Sequence, residues 1–215
     1  MSLAGLMAAW SRAWAISRHV DPPASVAGNG WRIEVGKADQ RRRFLFSDCD
    51  PAVLRPLAQT IGEPFVLLKV CTDAPTLRAV LPDDWGVAQL GYMMVDETPS
   101  RASALATGYR LSVECAPPFI MAKITTDQGA LAASGQVILV DGLAVCDQIV
   151  TQEAHRRRGL GQAVMLALKA AASEAGARTG ALSATLMGRD LYLSLGWRQV
   201  SDYTTGASPG TTPFP

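Results

Sequence analysis

The segment His155-Arg156-Arg157-Arg158-Gly159-Leu160-Gly161-Gln162 sets three consecutive arginines against two glycines at the head of an apolar run with helical spacing. Backbone N–H groups in the first turn of a helix have no intrahelical partner, and the helix dipole adds about half a positive charge there. Glycine lets a ligand come close to the main chain, and arginine adds charge-assisted donors. The chemistry this pattern supports is capture of an anion, most naturally a pyrophosphate. A dinucleotide fingerprint would need glycine where Val164 stands, and a Walker loop would need Gly-Lys-Ser/Thr, which is absent. The competing reading is a solvated basic turn. It is disfavoured because cations at a helix N-terminus are unfavourable unless an anion joins them.

The segment needs a strand before it and a helix after it. A long helix is expected from about Gly159 to Ala175, with Leu160, Ala163, Val164, Ala167, Leu168, Ala171 and Ala175 on one face and Gly176 as its left-handed cap. Strands are expected over Tyr109–Glu114, Phe119–Thr125, Ser134–Val140 and Leu143–Thr151, with Asp141-Gly142 forming a tight type I′ turn between the last two. A strand near Ala181–Thr185, a helix near Arg189–Leu195 and a last strand over Trp197–Thr204 follow. Antiparallel strands followed by strand–helix–strand give the α+β class, a mixed and mostly antiparallel sheet flanked by helices.

The first half carries a stripe of Leu3, Leu6, Met7, Trp10 and Trp14, which reads as an amphipathic helix packed on the body. Strands are expected over Trp31–Val35, Arg43–Phe46, Phe65–Val70 and Gly86–Val95. One helix should start at Asp50-Pro51 and end at Gly62, and a short one should lie near Pro75–Leu81. No nucleophile–base pair, phosphate loop or metal spacing appears there. The polar stretch Asp96–Thr107 is the best internal boundary. The expected organisation is a small α/β domain over residues 1–100, a second domain over 101–205 and a flexible Gly/Pro/Thr tail over 206–215. No period of 20 to 50 residues repeats.

The chain has 215 residues, 48% apolar and 18% charged, with a net charge of +1. This describes a folded protein with no long-range field for gripping nucleic acid or an anionic membrane. No apolar run is long enough to span a membrane. Cys49, Cys71, Cys115 and Cys146 are far apart and the only histidines are His19 and His155, so no metal-ligand spacing exists. The cysteines read as buried free thiols of a reducing, cytoplasmic compartment.

Arg156-x-x-Gly159-x-Gly161 resembles the Gln/Arg-x-x-Gly-x-Gly/Ala signature of the GCN5-related N-acetyltransferases (GNATs). Some thirty residues on, Leu191-Tyr192-Leu193-Ser194-Leu195-Gly196-Trp197 is similar to that family's Leu-Tyr-x-x-x-Gly-Phe segment. The resemblance covers roughly residues 109–205. It implies that acetyl-CoA is the co-substrate, lying where two neighbouring parallel strands splay apart, with no metal. It further implies that the backbone of Ile149, Val150 and Thr151 pairs with the pantetheine, and that Arg156 and the N–H groups of Arg157, Arg158, Gly159, Leu160, Gly161 and Gln162 hold the pyrophosphate. Tyr192 matches the tyrosine that protonates the departing thiolate. Members often place an acid on the strand before the motif, and Asp147 is the candidate here, although it could equally bond a backbone turn.

Two departures stand out. Only Cys115–Pro118 separates two strands where the family usually inserts two helices, so the N-terminal half is expected to wall the acceptor site. Thr185 also stands where many members carry an asparagine. The implied activity is acetyl transfer to a primary amine of a small or amino-acid-like molecule by direct attack in a ternary complex, with a non-catalytic acyl-CoA-binding module as the alternative. A homodimer is left open.

Overall fold

The computed structural model describes residues 1–97 and 105–211. Most of the expected linker, residues 98–104, and the last four residues of the expected tail lie outside the described residues. In chain order the elements are α1 (Leu3–Arg18), β1 (Ala24–Val26), β2 (Gly30–Glu34), β3 (Arg42–Phe46), α2 (Pro51–Thr60), β4 (Val66–Val70), α3 (Ala74–Val80) and β5 (Gly86–Asp96). They continue with β6 (Tyr109–Ala116), β7 (Phe119–Thr126), β8 (Leu131–Val140), β9 (Leu143–Thr151), a single 3-10 turn (Glu153–His155), α4 (Leu160–Glu174), β10 (Thr179–Thr185), α5 (Arg189–Ser194) and β11 (Arg198–Ala207). By contacts the chain forms two compact units, and neither is one continuous stretch. One comprises Met1–Met94, Ser183–Arg189 and Gln199–Pro215, the other Val95–Leu182 and Asp190–Arg198.

In the first unit β1, β2 and β3 are antiparallel, β3 runs parallel to β4, and β11 is antiparallel to β4. One face of this sheet buries Phe44, Phe46, Val66, Leu68 and Val70 against Leu54 of α2 and Leu77 of α3. Full burial of each such side chain contributes about 1.5–3 kcal/mol. The Trp14 ring of α1 lies against Arg43 of β3, with the guanidinium carbon 3.9 Å from the ring centre. Ser2 caps α1 by accepting from Gly5 N. The buried surface of α1 is wider than the predicted stripe and takes in Ala9, Ser11, Ala13, Ala15 and Ser17. Ser11 and Ser17 are accommodated because each hydroxyl donates to a carbonyl one turn back, Ala8 O and Trp14 O.

The expected tail is ordered as far as it is described. Gly206 and Ala207 pair with Leu68 and Leu67. Ser208 N donates to Val66 O at 3.0 Å, and Phe65 N donates to Thr211 Oγ1 at 2.7 Å. Composition argued against order because these side chains bury little. Pairing with a strand edge and the hydroxyl bonds of Ser208 and Thr211 supply the order instead.

In the second unit β6 to β9 form an antiparallel meander and β9 runs parallel to β10. Asp141 and Gly142 both take positive φ, 51° and 76°, as a type I′ turn requires. Helix α4 packs across β7, β8 and β9. A Cβ at Gly135 would collide with Ile149, and would press on Val164 and Leu168 of the helix, so the close seating of α4 requires glycine there. The Cys115–Pro118 link closes a hairpin in which Ala116 faces Phe119, so no helix is inserted between those strands. Cys115 itself is exposed on the edge strand β6, unlike the buried Cys71 and Cys146.

The two units share an order of elements that the sequence does not reveal. Each runs an antiparallel strand pair, a helix to a parallel strand and a short second helix: β2, β3, α2, β4, α3 in one, and β8, β9, α4, β10, α5 in the other. Each is a mixed sheet flanked by helices, the α+β class.

Candidate functional site

Although the two units repeat one pattern, their parallel strand pairs differ. Strands β3 and β4 pair along their whole length, from Arg42 with Val66 to Phe46 with Val70. Strands β9 and β10 pair only at Thr179–Ala181 with Leu143–Val145. The cause lies in β9, where the register with β8 slips between Ser134 and Gln136 and Gln148 takes a φ of 54°. Such a bulge bends a strand and increases its local twist. From Cys146 onward β9 thus parts from the ladder with β10 while keeping β8 on its other edge, and it is here that Ile149, Val150 and Thr151 lie. Val150 is exposed. Ile149 turns its side chain over Gly135, which leaves its backbone as the polar feature of this stretch.

The helix starts differ in the same way. Asp50 caps α2 by accepting from Ala52 N at 2.8 Å, and Asp73 caps α3 by accepting from Thr76 N at 2.8 Å. A carboxylate already occupies each of those N-termini. Helix α4 begins at Gly159, in the left-handed conformation at φ 75°, with no side-chain cap and no acid in its first turn. Arg157 also has positive φ, 60°. The N–H groups of Arg157, Arg158, Gly159, Leu160, Gly161 and Gln162 donate to no backbone acceptor among the described residues. These N–H groups, together with the dipole, form a cradle for an anion. Gly161 lies in its floor, with its Cβ position 3.3 Å from Leu191 Cδ2 and 3.4 Å from Thr151 Oγ1.

The three arginines are not equivalent. Arg156 Nε reaches Thr151 O at 3.4 Å, and Arg158 donates to Tyr109 Oη at 3.0 Å and to Ala154 O at 3.4 Å. Both brace the loop, while Arg157 is exposed. Tyr109 is the partner that sequence reasoning missed. Its hydroxyl also meets His155 Nδ1 at 2.9 Å, so β6 fixes the 3-10 turn leading into the cradle.

Tyr192 stands on α5 with 9% of its surface exposed, its ring 6.0 Å from that of Trp197. Its hydroxyl makes no hydrogen bond to the protein among the described residues. Burial, and secondarily Cys146, holds its pKa well above the ordinary phenol value, so the proton stays on oxygen at neutral pH. Burial likewise pushes the Cys146 thiol up to about 12, which makes it an uncharged wall and not a nucleophile. Asp147 is half-buried at the bulge, where its Oδ1 accepts from Gln148 N at 2.9 Å. Thr185 Oγ1 accepts from Gly188 N at 3.1 Å. Among the described residues no cluster of three or more His, Cys, Asp or Glu side chains could hold a metal ion, and no helix is long and apolar enough to cross a membrane.

No family model matches the sequence, and a search of curated proteins finds no match. Solved structures do match. A GCN5-related N-acetyltransferase from Kribbella flavida superposes with a TM-score of 0.66 at 16% identity, over 94% of this chain and 96% of that one. A GCN5-related N-acetyltransferase-like protein from Streptococcus suis gives 0.57 at 11%, over 95% and 97%. A tandem GNAT protein from the clavulanic acid biosynthesis pathway gives 0.60 at 14%, over 99% and 94%. The chain has the GNAT fold. The likeness extends well beyond residues 109–205, where the sequence motifs lie. Among the described residues of this GNAT fold, only the second unit combines parted parallel strands with an uncapped helix start.

Proposed function

We propose that the protein is an N-acetyltransferase that moves an acetyl group from acetyl-CoA to a primary amine of a small or amino-acid-like molecule. The observation that carries this reading is the coincidence, in one unit, of the parting of β9 from β10 with the uncapped N–H cradle of α4. The other unit has the same element order but neither feature, so these are not by-products of the topology.

In this reading the N–H groups of Arg157 to Gln162 bind the pyrophosphate, and Arg157 adds a screening charge. The free edge of Ile149-Val150-Thr151 pairs with the pantetheine amides and directs a backbone N–H at the thioester carbonyl. The neutral amine forms a bond to the carbonyl carbon, the carbon–sulfur bond breaks, and the electron pair leaves on sulfur. Tyr192, still protonated, donates to that sulfur. Asp147 is the candidate to take the proton lost by nitrogen, directly or through water. Holding amine and thioester together supplies much of the acceleration by orientation alone.

The test is release of free thiol from acetyl-CoA in the presence of a panel of primary amines and amino acids, with the acetylated product confirmed by mass. Amine-dependent release supports the reading. Tight acetyl-CoA binding with no amine consumed would contradict it and leave a non-catalytic acyl-CoA-binding module.

A further inference from the structure

A cavity of about 260 Å³ lies within the second unit, between the C-terminal half of α4 and the starts of β9 and β10. Its inner wall is built from buried, uncharged side chains: Val137 of β8, Ala144 and Cys146 of β9, Ala172 of α4, and Trp197. Gly180 of β10 shapes that wall. A Cβ there would stand 2.9 Å from Cη2 of Trp197, so the missing side chain lets the indole lie against the strand. Asp96 and Lys169 form an ion pair on one side of the cavity, with the carboxylate buried. Glu97 and Arg178 are exposed and stand at its rim.

Protein interiors are packed about as densely as organic crystals and hold few voids larger than a water molecule. An apolar cavity of about 150 Å³ already takes up benzene, so this one has room for a ring with a short arm. It is also apart from the α4 cradle. Lys169 follows Gly161 by more than two turns of the helix, about 12 Å along its axis.

The charges select the kind of ligand. Among the described residues that line the cavity, Asp96 and Glu97 balance Lys169 and Arg178, so no net charge calls for an ion. An ion drawn to one member of the Asp96–Lys169 pair would be repelled by the other, and it would lose its hydration on entry. A hydroxyl both donates and accepts, which suits a carboxylate beside an ammonium. The indole of Trp197 favours an aromatic neighbour, since ring pairs gain beyond the area they bury.

We propose that this cavity is a binding site for a small uncharged molecule, an aromatic ring with a short arm that carries a hydroxyl. The ring fills the space between Cys146, Ala172 and Trp197, and the hydroxyl lies toward Asp96 and Lys169. The site is separate from the acyl-CoA cradle and does not depend on the acyl-transfer reading.

The experiment titrates the full chain with 2-phenylethanol, 2-phenylethylammonium and phenylacetate. It follows the methyl resonances of Ala144 and Ala172, which a ring beside them shifts, together with the melting temperature. The alcohol should move both methyls with half-saturation at or below about 1 mM and raise the melting temperature. Each ion should bind at least about tenfold more weakly. CoA should bind equally with and without the alcohol. Ala172→Phe puts a ring of the protein's own into the cavity and should weaken the alcohol at least about tenfold. Arg178→Gln changes only the exposed rim and leaves the lining with a net negative charge, so the ratio of ammonium to carboxylate affinity should rise several-fold. If Ala172→Phe does not fold, the wild-type series and Arg178→Gln still decide the matter. Methyls unmoved by the alcohol, an ion bound as tightly as the alcohol, an unchanged ratio in Arg178→Gln, or competition between the alcohol and CoA would overturn the proposal.

Discussion

Replacing Tyr192 by Phe removes one oxygen from a ring that is already nine-tenths buried, and the two roles open to that oxygen predict opposite signatures. Its contact with Trp197 at 6.0 Å belongs to the ring and survives the change. The hydroxyl bonds no protein group among the described residues, so its loss breaks no internal contact and the change in stability should stay within about 0.5 kcal/mol. Turnover should respond otherwise. General acid catalysis contributes roughly 10²- to 10⁴-fold, and with water as a partial substitute a loss of at least about tenfold is expected, or ~1.4 kcal/mol of barrier. The loss should fall on kcat and not on KM for acetyl-CoA, because the proton matters only as sulfur departs. The assay pairs a thermal melt with thiol release, using an amine found active in the screen. A lowered melting point with normal kcat would refute the reasoning and make Tyr192 a packing residue. Unchanged turnover in a stable variant would transfer proton delivery to solvent.

Further outcomes follow from the same contacts. Lys69 has a folded pKa of about 7 against an unfolded value near 10.5, so between these limits the unfolded chain binds the extra proton and stability rises with pH, by about 1.4 kcal/mol per unit at most. Cys71 and Cys146, both raised to about 12, act oppositely above about pH 9. Denaturant melts from pH 7 to 8.5 should therefore show a positive slope that Lys69→Met flattens, and an equal slope in the variant would contradict the assignment. Gly135→Val should lower stability by about 2–4 kcal/mol, since the new side chain meets Ile149, Val164 and Leu168, and a melting point within one degree of wild type would count against that packing. Asp147→Asn keeps an acceptor for Gln148 N, so the fold should hold while kcat falls if Asp147 takes the proton. An unchanged pH–rate profile would leave it as the anchor of the bulge.

The sequence made the second unit easier to read than the first. Helix α4 and the Asp141-Gly142 turn were legible because each rests on local rules, a 3.6-residue apolar stripe and two residues that tolerate positive φ. The bulge at Gln148 was not, since it depends on which residue of β8 sits opposite. Within Val66–Val70, Lys69 reads as one polar position on a half-buried strand. Its environment comes from Arg43, Tyr203 and Trp14, which are distant in sequence and meet only once the sheet and α1 assemble. The shared element order of the two units is equally silent in the sequence, because topology constrains apolar spacing and not residue identity.

The central claim, that the start of α4 holds the pyrophosphate of acyl-CoA, is tested most directly by calorimetric titration of the protein and of Gly161→Val with CoA. The glycine's Cβ position meets only side-chain atoms, Leu191 Cδ2 at 3.3 Å and Thr151 Oγ1 at 3.4 Å, so a small shift at the end of the leucine lets the variant fold, yet its branched side chain would stand in front of the first-turn N–H groups. Wild type should bind one CoA per chain, and Gly161→Val should lose at least about tenfold in affinity while still folding, as a cooperative melt would show. Equal affinity in the two proteins, or no CoA binding by either, would contradict the claim.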